Sequence, residues 1–207
     1  MMSVNDLFIK GNKLFLEKNF FGGLDIFKEI WVQFPKNRRL EEEINKKLKR
    51  FKTPIIQTHS KKEIENFFYL EKSGKSSIVI KKLSDTLEKN QNDILTISLL
   101  ANFWSLEGNY KKAVYFHRLA IKKHPLESAF YLNLSDTLIK INKLEEALNV
   151  LYYAKILSLK NRDIDHKMAK LFTNLKKFSK SDQIYKQLIS YKNISRDIIY
   201  DYCDNLI

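Results

Sequence analysis

The chain has 207 residues and a formal charge of +13, with 37 basic against 24 acidic side chains, five glycines, three prolines and one cysteine. That length suits one domain or a short repeat array, the scarcity of glycine and proline favours long helices with short joints, and the lone Cys203 excludes an internal disulfide framework and fits a reducing compartment. No apolar run approaches a membrane span, and the start MMSVNDLFIK lacks the basic-then-apolar order of a secretion signal, so a cytoplasmic protein without membrane insertion is expected.

From the N-terminus onward the sequence is organised by a 34-residue period, the mark of a helical solenoid. Residues 4–37 form a first helix pair, carrying Gly11, Leu14, Phe20, Gly23, Phe27 and Pro35. An insertion at 38–59 then breaks the period. Its first part, RRLEEEINKKLKRFK, places Leu40, Ile44, Leu48 and Phe51 on one helical face and is expected to extend or follow the preceding helix. Its second part, TPIIQTHS, reads as an extended link, because Pro54 disfavours helix at Thr53. Ser60 and Glu63 suit a capping box opening a degenerate second repeat, 60–93, in which bulky Phe67 stands where a small residue is expected.

The third repeat, 94–127, is the clearest: 94–107 reads as its A helix and 111–124 as its B helix, with Pro125 stopping the latter. Its alanines Ala113 and Ala120 recur one period on as Ala147 and Ala154 in the fourth repeat, 128–161, and as Ser181 and Leu188 in the fifth, 162–195. The A helices carry their own small residue at Ala101, Ser135 and Ala169. Small side chains at a fixed register let two helix backbones approach, and a larger one there overpacks. Large residues such as Trp104, Tyr110, Leu144, Phe172, Phe178 and Tyr185 are expected to fill the remaining space. Residues 196–207 read as a capping helix or the start of a sixth repeat, with Ile199, Tyr202 and Leu206 facing inward, Ile198 left at an uncovered edge and Cys203 at least half-buried. Such an edge would allow self-association.

Gly11, Ala101, Ala113, Ala120, Tyr110 and Pro125, with Leu134, Leu144, Ala147 and Ala154, make the pattern resemble the tetratricopeptide repeat, a 34-residue helix–turn–helix unit; Leu159 departs from it where a proline would stand. The resemblance implies an all-α fold, a right-handed α-α solenoid, covering about nine-tenths of the chain. It also implies a concave groove lined by A helices. In register, that groove would present Asn5, Phe8, Asn12, Phe15 and Leu16 from the first repeat, Leu95, Ser98, Asn102, Ser105 and Leu106 from the third, Leu132, Asn133, Asp136, Ile139 and Lys140 from the fourth, and Asp163, His166, Lys167, Lys170 and Asn174 from the fifth. Asn102, Asn133, Asp136, Lys167 and Lys170 are the candidate peptide-binding residues, since an asparagine amide can both donate to and accept from a peptide backbone. Some family members grip a terminal carboxylate at such positions; here Asn102, Asn133 and Lys167 match, but Ser98 and Asp163 replace the other basic groups.

No residue pattern argues for an enzyme, a cofactor or a metal. His59, His117, His124 and His166 lack partners at ligand spacing, and Glu145 and Glu146 suit a helix start, where negative charge is favourable. The expected function is a non-enzymatic scaffold binding a protein or peptide. Two alternatives are the accessory repeat region of a transferase, such as a glycosyltransferase or sulfotransferase, and an RNA-binding repeat protein. The basic excess is spread along the chain, 12 against 7 charged groups in residues 1–59 and 25 against 17 in 60–207, which favours a solvated surface over a nucleic-acid footprint.

Overall fold

The structure is a computed structural model that describes residues 3–34, 37–191 and 194–206; Pro35 and Ile207 therefore lie outside the described residues. Among the described residues there are twelve helices and no strand. Repeat 1 is α1 (Val4–Leu16) and α2 (Phe20–Gln33), and the insertion supplies α3 (Arg38–Phe51). Repeats 2 to 5 are α4 (Lys61–Lys72) with α5 (Ser76–Lys89), α6 (Ile94–Leu106) with α7 (Tyr110–Lys123), α8 (Ser128–Lys140) with α9 (Leu144–Leu157), and α10 (Arg162–Asn174) with α11 (Phe178–Ile189). The last helix is α12 (Arg196–Asn205). The A helices α6, α8, α10 and α12 start at 94, 128, 162 and 196, and the B helices α5, α7, α9 and α11 at 76, 110, 144 and 178, so the period holds to the residue.

Each repeat turns from A to B through one left-handed residue at the same register. The five are Lys18 (φ 58°), Gly74 (φ 71°), Gly108 (φ 75°), Asn142 (φ 58°) and Lys176 (φ 57°). A left-handed residue after the helix lets its amide close back on the last turn, and a Cβ there is strained by about 1–2 kcal/mol. Lys18, for example, donates its amide to the Phe15 carbonyl at 3.1 Å. Gly108→Ala is therefore expected to cost about 1 kcal/mol in urea denaturation, and Lys176→Gly to gain a few tenths. Equal effects of the two substitutions would show that the turn strain is not felt.

Close approach governs the hairpin interiors. Ala101, Ala113, Ala120, Ala147, Ala154 and Ala169 are wholly buried, as are Ser135 and Ser181. Gly11 and Gly23 hold the same registers in repeat 1, where the partner helix leaves less room still: a Cβ on Gly23 would sit 2.4 Å from the Phe15 ring, and one on Gly11 2.8 Å from Phe27. Repeat 2 has Phe67 at this register, fully buried, and α4 and α5 make the sparsest contact of the five pairs. The Ser60 hydroxyl accepts the Glu63 amide at 3.2 Å, but the Glu63 carboxylate does not return the bond; it pairs with Lys82 at 2.7 Å. Phe178, expected inside, stands 52% exposed at the first turn of α11.

Repeat 1 does not stack on repeat 2. It doubles back, and α2 lies on α9, the B helix of repeat 4. Lys28 donates to Asn149 at 3.1 Å and to the Tyr153 hydroxyl at 3.2 Å, Tyr153 donates to Asp25 at 2.5 Å, and the Trp31 and Tyr152 rings meet edge to face. The strongly one-sided α3 buries Ile44 and Leu48 and also packs on α9, with Leu40 and Phe51 half-buried. The extended link then crosses the repeats in reverse. Lys52 donates to the Leu157 carbonyl (3.2 Å), Thr53 meets His124 (2.9 Å), Thr58 donates to Asp93 (2.9 Å) and His59 meets Thr96 (2.8 Å). The insertion is thus a strap long enough to return the chain from repeat 4 to the start of repeat 2.

This placement changes the reading of Phe15. Expected in the groove, it is 1% exposed, stacks on Phe27 and meets Phe20 and Phe51 at a tilt, because the fold-back turns repeat 1 away from the groove and α3 closes over it.

The C-terminal helix also differs from expectation. Ile198 is buried with Ala169, Tyr185 and Leu188, while Ile199 and Leu206 are exposed. The period itself explains this, since Ile198 falls one and two repeats after Ile164 and Phe130, both buried. Cys203, expected to be at least half-buried, is exposed.

Candidate concave groove

A helices approach each other directly at two steps of the array, α6 against α8 and α10 against α12, which fits their side being the inside of the curve. There α4, α6 and α8 enclose a groove pocket of about 240 Å3. Asn102 and Asn133 line it together with Asp136, Ser105 and Thr137; Phe68 and Leu106 supply apolar wall, and His117 lies beneath. Thr137 donates to Ser105 at 3.2 Å, which fixes two hydroxyls on adjacent A helices. Asp136 stands one period after Asn102, and Asn133 lies about one turn before Asp136 on α8, so the helix spacing brings all three to one wall.

The five candidate residues divide. Asn102, Asn133 and Asp136 share the pocket. Lys167 extends the same surface, but its ammonium is ion-paired with Asp136. Lys170 is paired instead with Asp201 of α12 at 3.1 Å, and Asp201 also holds His166 Nε2 at 2.6 Å. Ser98, one of the other clamp positions, is buried, and Asp163 is exposed. Lys140 also lines the pocket and reaches only the Ser105 hydroxyl, at 3.5 Å, so it is the cation an incoming carboxylate would meet there. The sequence reading missed Asp201; the period would have found it, since α12 continues the A-helix series.

His117 is the most unusual group near the groove. It is 1% exposed, neither ring nitrogen has a hydrogen-bond partner, and burial holds its pKa down to about 4. No group of three or more histidine, cysteine or acidic residues able to hold a metal occurs among the described residues. No described helix is long and apolar enough to cross a membrane.

No family model and no curated protein matches the sequence. Solved structures do resemble the fold. The crystal structure of MamA aligns with a TM-score of 0.55 at 15% identity, over 67% of this chain and 91% of that one. TTC0263, a thermophilic TPR protein in Thermus thermophilus, aligns at 0.56 and 12% identity over 99% of both chains. A tetratricopeptide repeat protein from Parabacteroides merdae aligns at 0.60 and 12% identity, over 98% of this chain and 72% of that one. With its 34-residue pairing of A and B helices, the chain has the tetratricopeptide-repeat fold.

Proposed function

We propose that the chain is a protein-interaction scaffold whose groove holds an extended segment of a partner protein. The observation that carries this reading is the pocket shared by Asn102 and Asn133, where two side-chain amides stand beside hydroxyls and a modest apolar wall. Amides in that position can pair with both the N–H and C=O of a peptide backbone, and the apolar wall can take one side chain. The neighbours of known structure include proteins named for the same repeat, which supports a scaffold role by analogy of fold alone.

The test is capture of partners from the native host by the full chain, followed by Asn102→Ala combined with Asn133→Ala. Losing two such hydrogen bonds, at about 1 kcal/mol each, should weaken binding by roughly 30-fold. Undiminished capture by the double variant would move the site elsewhere. Retention of RNA with a steep salt dependence would replace this reading with a nucleic-acid one.

A further inference from the structure

The fold-back creates a second cavity, away from the groove and sharing none of its residues. It lies between the arm α2–α3 and the outer faces of α9, α10 and α11, with a volume of about 560 Å3. That is the size of a small-molecule site. We propose that this cleft binds a small aromatic anion, a planar ring bearing a sulfonate, carboxylate or phosphate.

The walls argue for the ring. Trp31 comes from the arm, and Tyr152, Phe172 and Tyr191 come from the repeats, so aromatic faces line both sides. Flat aromatic walls favour stacked or edge-on planar partners. The arm is required for this, because without α2 the cleft has one side only.

The charges argue for the anion. The lining contains four cations, Lys155, Lys160, Arg162 and Lys180, against two carboxylates, Glu41 and Asp165. Asp165 is already committed, pairing at 2.6 Å with Lys155, whose ammonium also donates to the Leu159 carbonyl at 2.5 Å. Two of the remaining three cations are placed on aromatic surface rather than on acids: Arg162 lies 4.2 Å from the Tyr191 ring centre and Lys180 5.7 Å from that of Phe172. A cation resting on a ring keeps its donors free for an anion, and a guanidinium in particular matches a planar oxyanion. Trp31 also carries an indole N–H that is buried without a hydrogen-bond partner.

Two fluorescent probes with the same ring framework test this on the full chain. One is 8-anilinonaphthalene-1-sulfonate; the other, N-phenyl-1-naphthylamine, lacks the sulfonate. The sulfonate should bind saturably at one site and at least about 10-fold more tightly than the neutral probe, as expected for desolvated charge-assisted bonds. Lys160→Glu combined with Lys180→Glu changes two exposed side chains and should weaken sulfonate binding at least about 10-fold while leaving the thermal melt unchanged. Lys111→Glu combined with Lys122→Glu, on the basic outer face of α7, should leave it unaltered. Equal binding of the two probes, no binding of the sulfonate, insensitivity to the cleft variant, or loss through the α7 variant would each overturn the proposal.

Discussion

Lowering the pH from about 7 to 4 is expected to remove roughly 3 kcal/mol of folding stability through His117 alone. Burial without a partner holds this imidazole neutral, with a pKa of about 4 in the folded chain against 6.5 for the free side chain. Above the unfolded value the group is neutral in both states and contributes no slope. Between the two values the unfolded chain takes up a proton that the native chain refuses, so stability falls as the pH falls; below the folded value the loss is complete. His117→Leu removes the titration and the unpartnered nitrogens together. Its denaturation midpoint should be higher at neutral pH, since an unsatisfied buried polar group costs about 1–3 kcal/mol, and its lead over the parent should widen on acidification. Glu63 and Asp93, held below their usual values by hydrogen bonds that outweigh burial, also lose stability in acid. They do so in both chains, so the difference isolates His117. Parallel pH profiles for parent and variant would refute the assignment.

Gly23→Ala is expected to destabilise the chain although it replaces a glycine inside a helix. Alanine in place of glycine ordinarily gains about 1 kcal/mol in a helix interior. Here the new methyl would lie 2.4 Å from the Phe15 ring, and that ring is itself fixed by Phe20, Phe27 and Phe51. Overpacking of this kind costs typically about 1–3 kcal/mol, and with no space to yield into it should exceed the propensity gain. The net loss should appear as a lower urea midpoint with an unchanged slope. Ala113→Leu and Ala147→Leu, at the same register, should behave alike. A stabilised Gly23→Ala variant would mean that α1 and α2 can separate at little cost.

The repeats were legible because their signal is local and repeated. Ala113, Ala147 and Ser181 mark one interhelical contact three times, and the helices begin within a residue or so of where that spacing puts them. That Asn102, Asn133 and Asp136 stand side by side was legible for the same reason, as neighbours in a regular array. The fold-back left no such trace. Its contacts join Lys28 to Tyr153 and Lys52 to Leu157, pairs separated by 125 and 105 residues, and each occurs once. A period reports only what touches the next repeat. The partners of Lys167 and Lys170 were missed for a related reason: position identified the cations, but the nearby Asp136 and Asp201 decide whether they are free.

The docking of α2 on α9 also sets an order of events during synthesis. The ribosome delivers α2 before α9, yet the surface that receives it includes Tyr153, made 125 residues after Lys28. At about 5–20 residues per second, the nascent arm waits roughly 6–25 s with Trp31 lacking its Tyr152 partner. Repeats 2 to 4 can meanwhile close by neighbour-to-neighbour contacts, so the arm, though made before them, finds its place after them. During that interval the arm is a ready substrate for a holdase chaperone, and its docking on α9 ends that vulnerability.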